Sequence, residues 1–197
     1  MISSHTNSRA FTLIELLVVI VIIGLLVAVT IPAISNLVRS GGVGAGTRGI
    51  SGTLNLARQY AITHRTITRV VFPYRTSPSN NLAPWYQSYS VVDMGPPVNY
   101  LTKWEIVPNG TILTPNSVDS LPTANFPFPS TNAANGSLAY IEFKPTGAAS
   151  QAGTITITEG FMTGVAPTYT SKGGTNSDFA TISADNLVGR IAVNRPQ

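Results

Sequence analysis

The sequence predicts an α+β protein: a long N-terminal membrane-spanning helix, a glycine-rich break, then a short helix packed on a small antiparallel β-sheet head. Three observations lead there. Leu16–Val38 is 23 residues without a charge. Ser40–Gly52 (SGGVGAGTRGISG) holds six glycines. Beyond Thr66, short stretches alternate apolar and polar residues with a period of two, punctuated by Pro, Gly and Asn.

The apolar run comes first. As a helix rising about 1.5 Å per residue it spans roughly 35 Å, against about 30 Å for a bilayer core. Ahead of it stands the polar leader MISSHTNSRA, whose small last residue, Ala10, precedes the apolar stretch. That order is the reverse of a secretory signal peptide, where the small-residue cleavage site follows the apolar region. A cut after Ala10 removes residues 1–10, keeps the helix over 11–39 and makes Phe11 the N-terminus. Glu15 then lies inside the apolar run, at a cost of a few kcal/mol in lipid. It stands four residues from Phe11, so the two share a helix face. Pro32 removes one backbone donor and is expected to kink the helix near Val29. Charge leaves orientation open, with Arg9 on one side and Arg39 and Arg48 on the other.

Ala10, Phe11, Thr12, Leu13, Ile14 and Glu15, then the aliphatic run and Pro32 in VTIPAI, resemble the type IV pilin-like family with its prepilin-type N-terminal methylation motif. Ala10 stands where that family usually has Gly. The resemblance implies that a membrane prepilin peptidase/methyltransferase cuts between Ala10 and Phe11 and methylates the Phe11 amine. It implies a helix that first anchors the chain in the bacterial inner membrane and later forms a filament core. Phe11, Glu15 and Pro32 become its assembly residues. Glu15 of an incoming subunit meets the Phe11 ammonium of its neighbour, so cleavage creates the charge that the carboxylate answers. The leader is implied to be cytoplasmic and the head periplasmic.

Residues 40–66 read as a glycine-rich joint and an amphipathic helix. Gly44-Ala-Gly46-Thr-Arg-Gly49 is formally G-x-G-x-x-G, but it follows an apolar helix instead of a strand, the wrong context for a dinucleotide turn. In Thr53–Thr66, Leu54, Ala57 and Ala61 recur at helical spacing and are expected on a sheet, with Arg58 and Arg65 outward. The β-rich head occupies 67–197. Strands are expected at Thr66–Phe72, Tyr86–Asp93, Lys103–Val107, Leu138–Lys144 and Gly153–Glu159. Asp178–Ala184 and Leu187–Val193 are expected to form a final hairpin about Asp185-Asn186. Residues 73–136 read as a loop-rich insertion, since residues 73–129 carry ten of the fourteen prolines. Its aromatics (Trp85, Tyr86, Tyr89, Tyr100, Trp104, Phe126, Phe128) are expected mainly as a core beneath loops. The A-R-x-x-A pattern at Ala57, Arg58 and Ala61, FKPTG at Phe143–Gly147 and the terminal GRIAV resemble the H-type minor pseudopilins and FimT-like minor pilins.

Composition excludes some chemistry. There is no cysteine, hence no disulfide, thiolate metal site or thiol nucleophile. His5 belongs to the leader, and His64 has no evident acidic partner. The seven acids of the body are scattered without metal-ligand spacing. No cofactor and no metal are expected. Net charge is +4 without a run of like charges, which reads as a solvated surface more readily than a nucleic-acid face. The FimT-like resemblance nevertheless implies a DNA contact at Arg190 and Arg195, although Ala192 occupies the position of the family's second Arg. The sequence therefore reads as a structural subunit and not an enzyme: a minor pseudopilin of a type II secretion pseudopilus that drives protein secretion. Its partners are the prepilin peptidase, other pilin or pseudopilin subunits and the inner membrane. One alternative is a minor type IV pilin of a pilus or DNA-uptake system. The alternative from another class is a membrane-tethered envelope enzyme.

Overall fold

The structure, a computed structural model, describes residues 13–75, 77, 83–131, 133–164, 166–169 and 178–195, with the backbone alone for 29–40. The chain divides into two compact units, Met1–Val38 and Arg39–Gln197.

One helix, α1, is assigned over Leu13–His64. In the first unit its side chains from Leu13 to Ala28 are all exposed in the single chain, although nearly all are aliphatic. Helical backbone continues through Pro32. Among the described residues no helix is long and apolar enough to cross a membrane. The described side chains of the apolar run, Leu13 to Ala28, number sixteen, fewer than the roughly 20 that a bilayer core takes. The rest of the membrane-spanning helix expected over 11–39 lies outside the residues whose side chains are described.

The second unit begins where the glycines begin. They interrupt the apolar run and coincide with the boundary between units, but they do not interrupt the helical ladder. The physical reason is packing. A Cβ on Gly42 would stand 2.8 Å from Thr111 Cγ2, one on Gly46 within 2.3 Å of Ile157 Cδ1, and one on Gly49 2.6 Å from the Tyr89 hydroxyl. These glycines lie at i, i+4 and i+7, one face of a helix, and continue into Ile50, Leu54, Ala57 and Ala61, all fully buried. Burial against the sheets offsets the roughly 1 kcal/mol that an interior glycine costs a helix. The helix ends at Arg65, whose φ of +52° is the left-handed C-terminal cap usually taken by glycine. The Thr66 N–H reaches back to the Ala61 carbonyl (3.2 Å).

The head carries two antiparallel sheets. In the first, β1 (Thr68–Phe72) is central, flanked by β2 (Ser88–Asp93) and β7 (Asn135–Phe143). Strand β3 (Asn99–Tyr100) and the two-residue β4 (Glu105–Ile106) both pair β2, and β6 (Thr123–Pro127) pairs β7. The second sheet runs β11-β10-β8-β5: Ile191–Asn194, Phe179–Ala184, Gly153–Thr163 and Thr111–Leu113, with β9 (Ala166–Tyr169) also on β8. A short helix, α2 (Pro115–Asp119), follows β5.

The main core joins one face of each sheet to α1, through Val70, Phe72, Val91, Ile141, Ile155, Ile157 and Ile182. Period two turns Val71, Val92 and Leu138 to the other face of the first sheet, where Phe126 and Phe128 close a second cluster. On that face Arg69 pairs with Glu142 at 2.7 Å, its registered cross-strand neighbour. Its guanidinium lies 4.3 Å from the centre of the Tyr140 ring.

The loop-rich reading of 73–136 is corrected. That segment supplies β2 to β6 and α2, and it feeds both sheets. Strands β2 and β4 fall within the expected Tyr86–Asp93 and Lys103–Val107, while β3, β5 and β6 are short or Pro-bounded, with weak periodicity, and pairing with β2, β8 and β7 makes them strands. Most of its aromatics are core, as expected: Tyr86, Tyr89, Phe126 and Phe128 are buried. The final hairpin forms, but its second strand starts at Ile191 instead of Leu187. Asp185 explains the shift: its carboxylate accepts from the Leu187 and Val188 N–H groups (2.8 and 3.0 Å) and holds them in a turn.

Candidate functional site

Two places gather the residues that the sequence singled out. The first is the start of α1. Ala10 and Phe11 lie outside the described residues, so the pair they form with Glu15 is not on view. Glu15 sits in the first turn of α1 on an exposed surface, where a carboxylate complements the positive end of the helix dipole. Around it Leu13, Ile14, Leu16 and Leu17 are exposed. A helix apolar on every side has no solvated face; it must be covered by lipid or by other helices. Pro32 lies in the stretch described by backbone alone.

The second place is a node in the head where the three subfamily-like motifs meet. Arg58, of the A-R-x-x-A pattern, points across the head instead of outward as expected. Its Nε donates to the Gly147 carbonyl (3.0 Å) and a terminal nitrogen donates to the Val188 carbonyl (3.0 Å). Gly147 ends FKPTG with a φ of +82°, and Gly189 begins GRIAV with a φ of +63°. A Cβ on Gly189 would fall 1.9 Å from the Gly147 oxygen and 3.1 Å from Arg58 Nε. Glycine is therefore required at 189 on two counts, backbone conformation and space. Ala57 and Ala61, either side of Arg58, are fully buried. Thr68 donates its hydroxyl to the Ala57 carbonyl (2.7 Å), fastening β1 to the same turn of helix. The arrangement holds a helix, the β7–β8 turn and the β10–β11 loop in one register. Sequence reading missed this role because the arginine's partners are backbone carbonyls 89 and 130 residues away. The recurrence of Gly-Arg and Pro-Thr-Gly beside the helical Arg was the available signal.

The two C-terminal arginines are not brought together. In the β10–β11 register Ala184 faces Ile191 and Ile182 faces Val193, and Ile191 packs against the main core. Odd residues of β11 thus turn toward the core side and even ones away. Arg195 lies at an odd position, ion-paired with Asp178 at 2.9 Å. It also approaches α1, where a Cβ on Gly44 would meet its guanidinium at 3.4 Å. Arg190 is exposed and even-numbered, so the pair does not make one basic surface.

Other groups have structural work. His64 stacks on Tyr60 with ring centres 3.8 Å apart and no acidic partner among the described residues. Burial pushes the Tyr86 phenol up to about 12, and its hydrogen bond to Asp119 (2.9 Å) adds to that. Burial likewise raises Tyr89, helped by the Glu105 carboxylate. The hydrogen bonds from Val188 and Leu187 hold the Asp185 carboxyl below its ordinary value. No group of three or more His, Asp or Glu that could hold a metal occurs among the described residues.

The family described as prokaryotic N-terminal methylation motif matches residues 5–31. The family described as type II transport protein GspH matches residues 47–180, about two thirds of the chain. No curated protein matches. Among solved structures, the minor pseudopilin EpsH from the type 2 secretion system of Vibrio cholerae is similar. It shares 12% identity and a TM-score of 0.46 over 79% of this chain and 98% of that one. Behind an N-terminal methylation motif and through the span that holds Arg58 and Gly147, the chain belongs to the type II transport protein GspH family, the minor pseudopilins of type II secretion.

Proposed function

We propose that the chain acts by assembly and not by catalysis, entering a secretion pseudopilus through the first part of α1. The observation that carries this reading is the exposed aliphatic surface from Leu13 to Ala28 with one carboxylate, Glu15, in its first turn. Lipid covers that surface while Leu16–Val38 anchors the chain in the inner membrane, with the head in the periplasm. Neighbouring subunits cover it in the filament. The prepilin peptidase cuts between Ala10 and Phe11 and methylates the new amine. Glu15 then meets the Phe11 ammonium of an adjacent subunit, neutralising both charges where the dielectric is low.

Two measurements test this. Mass spectrometry of the mature protein is expected to show a methylated Phe11 terminus; an intact Met1 in cells with active peptidase overturns the processing step. Glu15→Ala is expected to leave processing intact and to cut incorporation into the filament by about tenfold or more, the effect of leaving a buried ammonium unpaired. Undiminished incorporation overturns the charge pairing.

A further inference from the structure

The second sheet ends in an unpaired edge. Strand β11 pairs only β10, so one side of it faces no strand among the described residues. The Asp185 N–H bonds the Arg190 carbonyl (3.0 Å), which fixes the alternation of the ladder. Residues 190, 192 and 194 turn their backbone groups to β10, and Ile191 and Val193 turn theirs outward. The other described edges are protected. Strand β6 ends in Pro127, β9 contains Pro167, β5 is wholly buried, β3 is two residues long behind Pro96 and Pro97, and β4 is two residues long and carries Glu105. Strand β11 is Ile-Ala-Val-Asn, with no proline and no charge inside it.

Its surroundings are apolar and basic. Leu187 is 80% exposed, Val188 59% and Val193 49%. A cleft of about 560 Å³ lies against the strand and is lined in part by Val188, Arg190 and Ala192. Arg190 makes no ion pair among the described residues, whereas Arg195 at the other end is paired with Asp178.

We infer that β11 receives an extended segment of a partner protein as an added strand, an apolar segment carrying an acidic residue that meets Arg190. The outward groups at Ile191 and Val193 alternate donor and acceptor, which another peptide backbone matches. Nucleic-acid phosphates only accept, so they leave the carbonyls of this edge unanswered. The inference concerns the head alone and does not rest on the assembly reading.

The test uses the full chain in detergent micelles. The probe is a fluorescein-labelled peptide alternating Val and Thr around a central Glu. Saturable binding is expected by anisotropy, with slower amide exchange at Ile191 and Val193. Val193→Pro removes an outward donor and no β10 bond. It is expected to keep the circular-dichroism melt and weaken binding about tenfold. Exchanging the central Glu for Lys is expected to weaken binding as well. Absence of binding at about 1 mM peptide, or equal binding by folded Val193→Pro, overturns the proposal. So does a doubled sedimentation mass that Val193→Pro abolishes, because the occupant is then a second copy of this chain.

Discussion

Arg58 replaces packing with directed hydrogen bonds, and single substitutions should expose the difference. Arg58→Leu preserves much of the side-chain bulk but leaves the Gly147 and Val188 carbonyls without their donors. A loss of about 2–3 kcal/mol in a denaturant titration is expected, because hydrogen bonds from a charged donor outweigh neutral ones. Arg58→Lys is expected to recover less than half of it, since one ammonium cannot reproduce a forked donor. Tyr86 gives a residue-scale pH signature. Its pKa is raised to about 12 in the folded head. The stability it contributes is therefore complete below the unfolded value of about 10 and is lost as pH rises through about 12. Tyrosinate absorbance and thermal melts recorded together should show the buried phenols Tyr86, Tyr89 and Tyr100 ionising as the head unfolds, and Tyr86→Phe should make that alkaline limb shallower by one phenol's share.

At the scale of elements, the glycine segment separates two roles within one helix. Gly46→Ala drives a methyl to within 2.3 Å of Ile157 Cδ1, while Gly52 has nothing within 4 Å of its Cβ position. Gly46→Ala is expected to cost about 1–3 kcal/mol through overpacking. Gly52→Ala is expected to gain about 0.4–1 kcal/mol through helix propensity and a less free unfolded chain. Melting both variants distinguishes a packing face from a flexible hinge, which predicts gains at both. The β10–β11 turn has its own pH response. Asp185 titrates below its ordinary value because backbone N–H groups hold its charged form. Its contribution is thus present above about pH 3.9 and is lost as pH falls through the lower folded value. Asp185→Asn should remove that acid-side slope in melts taken between about pH 5 and 2. Elements with a strong period were readable in advance: the apolar run, the Leu54–Ala57–Ala61 face, β1, β7, β8 and the final hairpin. Within residues 73–136, β2 and β4 fall inside expected strands, whereas β3, β5 and β6 were not readable, because they are short or Pro-bounded and take their identity from their partner strands. The glycines misled for a related reason. Local propensity marks them as breakers, and only the Thr111, Ile157 and Tyr89 side chains opposite show why they stay helical.

For the whole molecule, the division into two units matches a division of labour. In the first unit the described side chains, Leu13–Ala28, are exposed and nearly all aliphatic, and the second unit closes its own core around its part of α1. Motif order is what makes Ala10 and Phe11 the proposed processing residues and Phe11, Glu15 and Pro32 the proposed assembly residues, since cleavage, charge and apolar length are all local. The head's organising contacts were less so, because Arg58 reads as one more solvated arginine until the fold brings its acceptors near. The same physics separates Arg190 from Arg195: they flank β11 at its two ends, and only Arg195 reaches Asp178, which a linear motif cannot express. Processing and head folding should therefore be separable. Glu15→Ala is expected to leave the melting temperature of the head unchanged within about 1 °C, read by near-ultraviolet circular dichroism in detergent.

The meeting of Gly189 with Gly147 above Arg58 also sets an order of events. Arg58 emerges from the ribosome early, but one of its two acceptors lies 130 positions later. Closing so long a loop is slow relative to forming helix or hairpin. Arg58 therefore stays without its second acceptor until the chain through Val188 has been made, well after Gly147 can be in place.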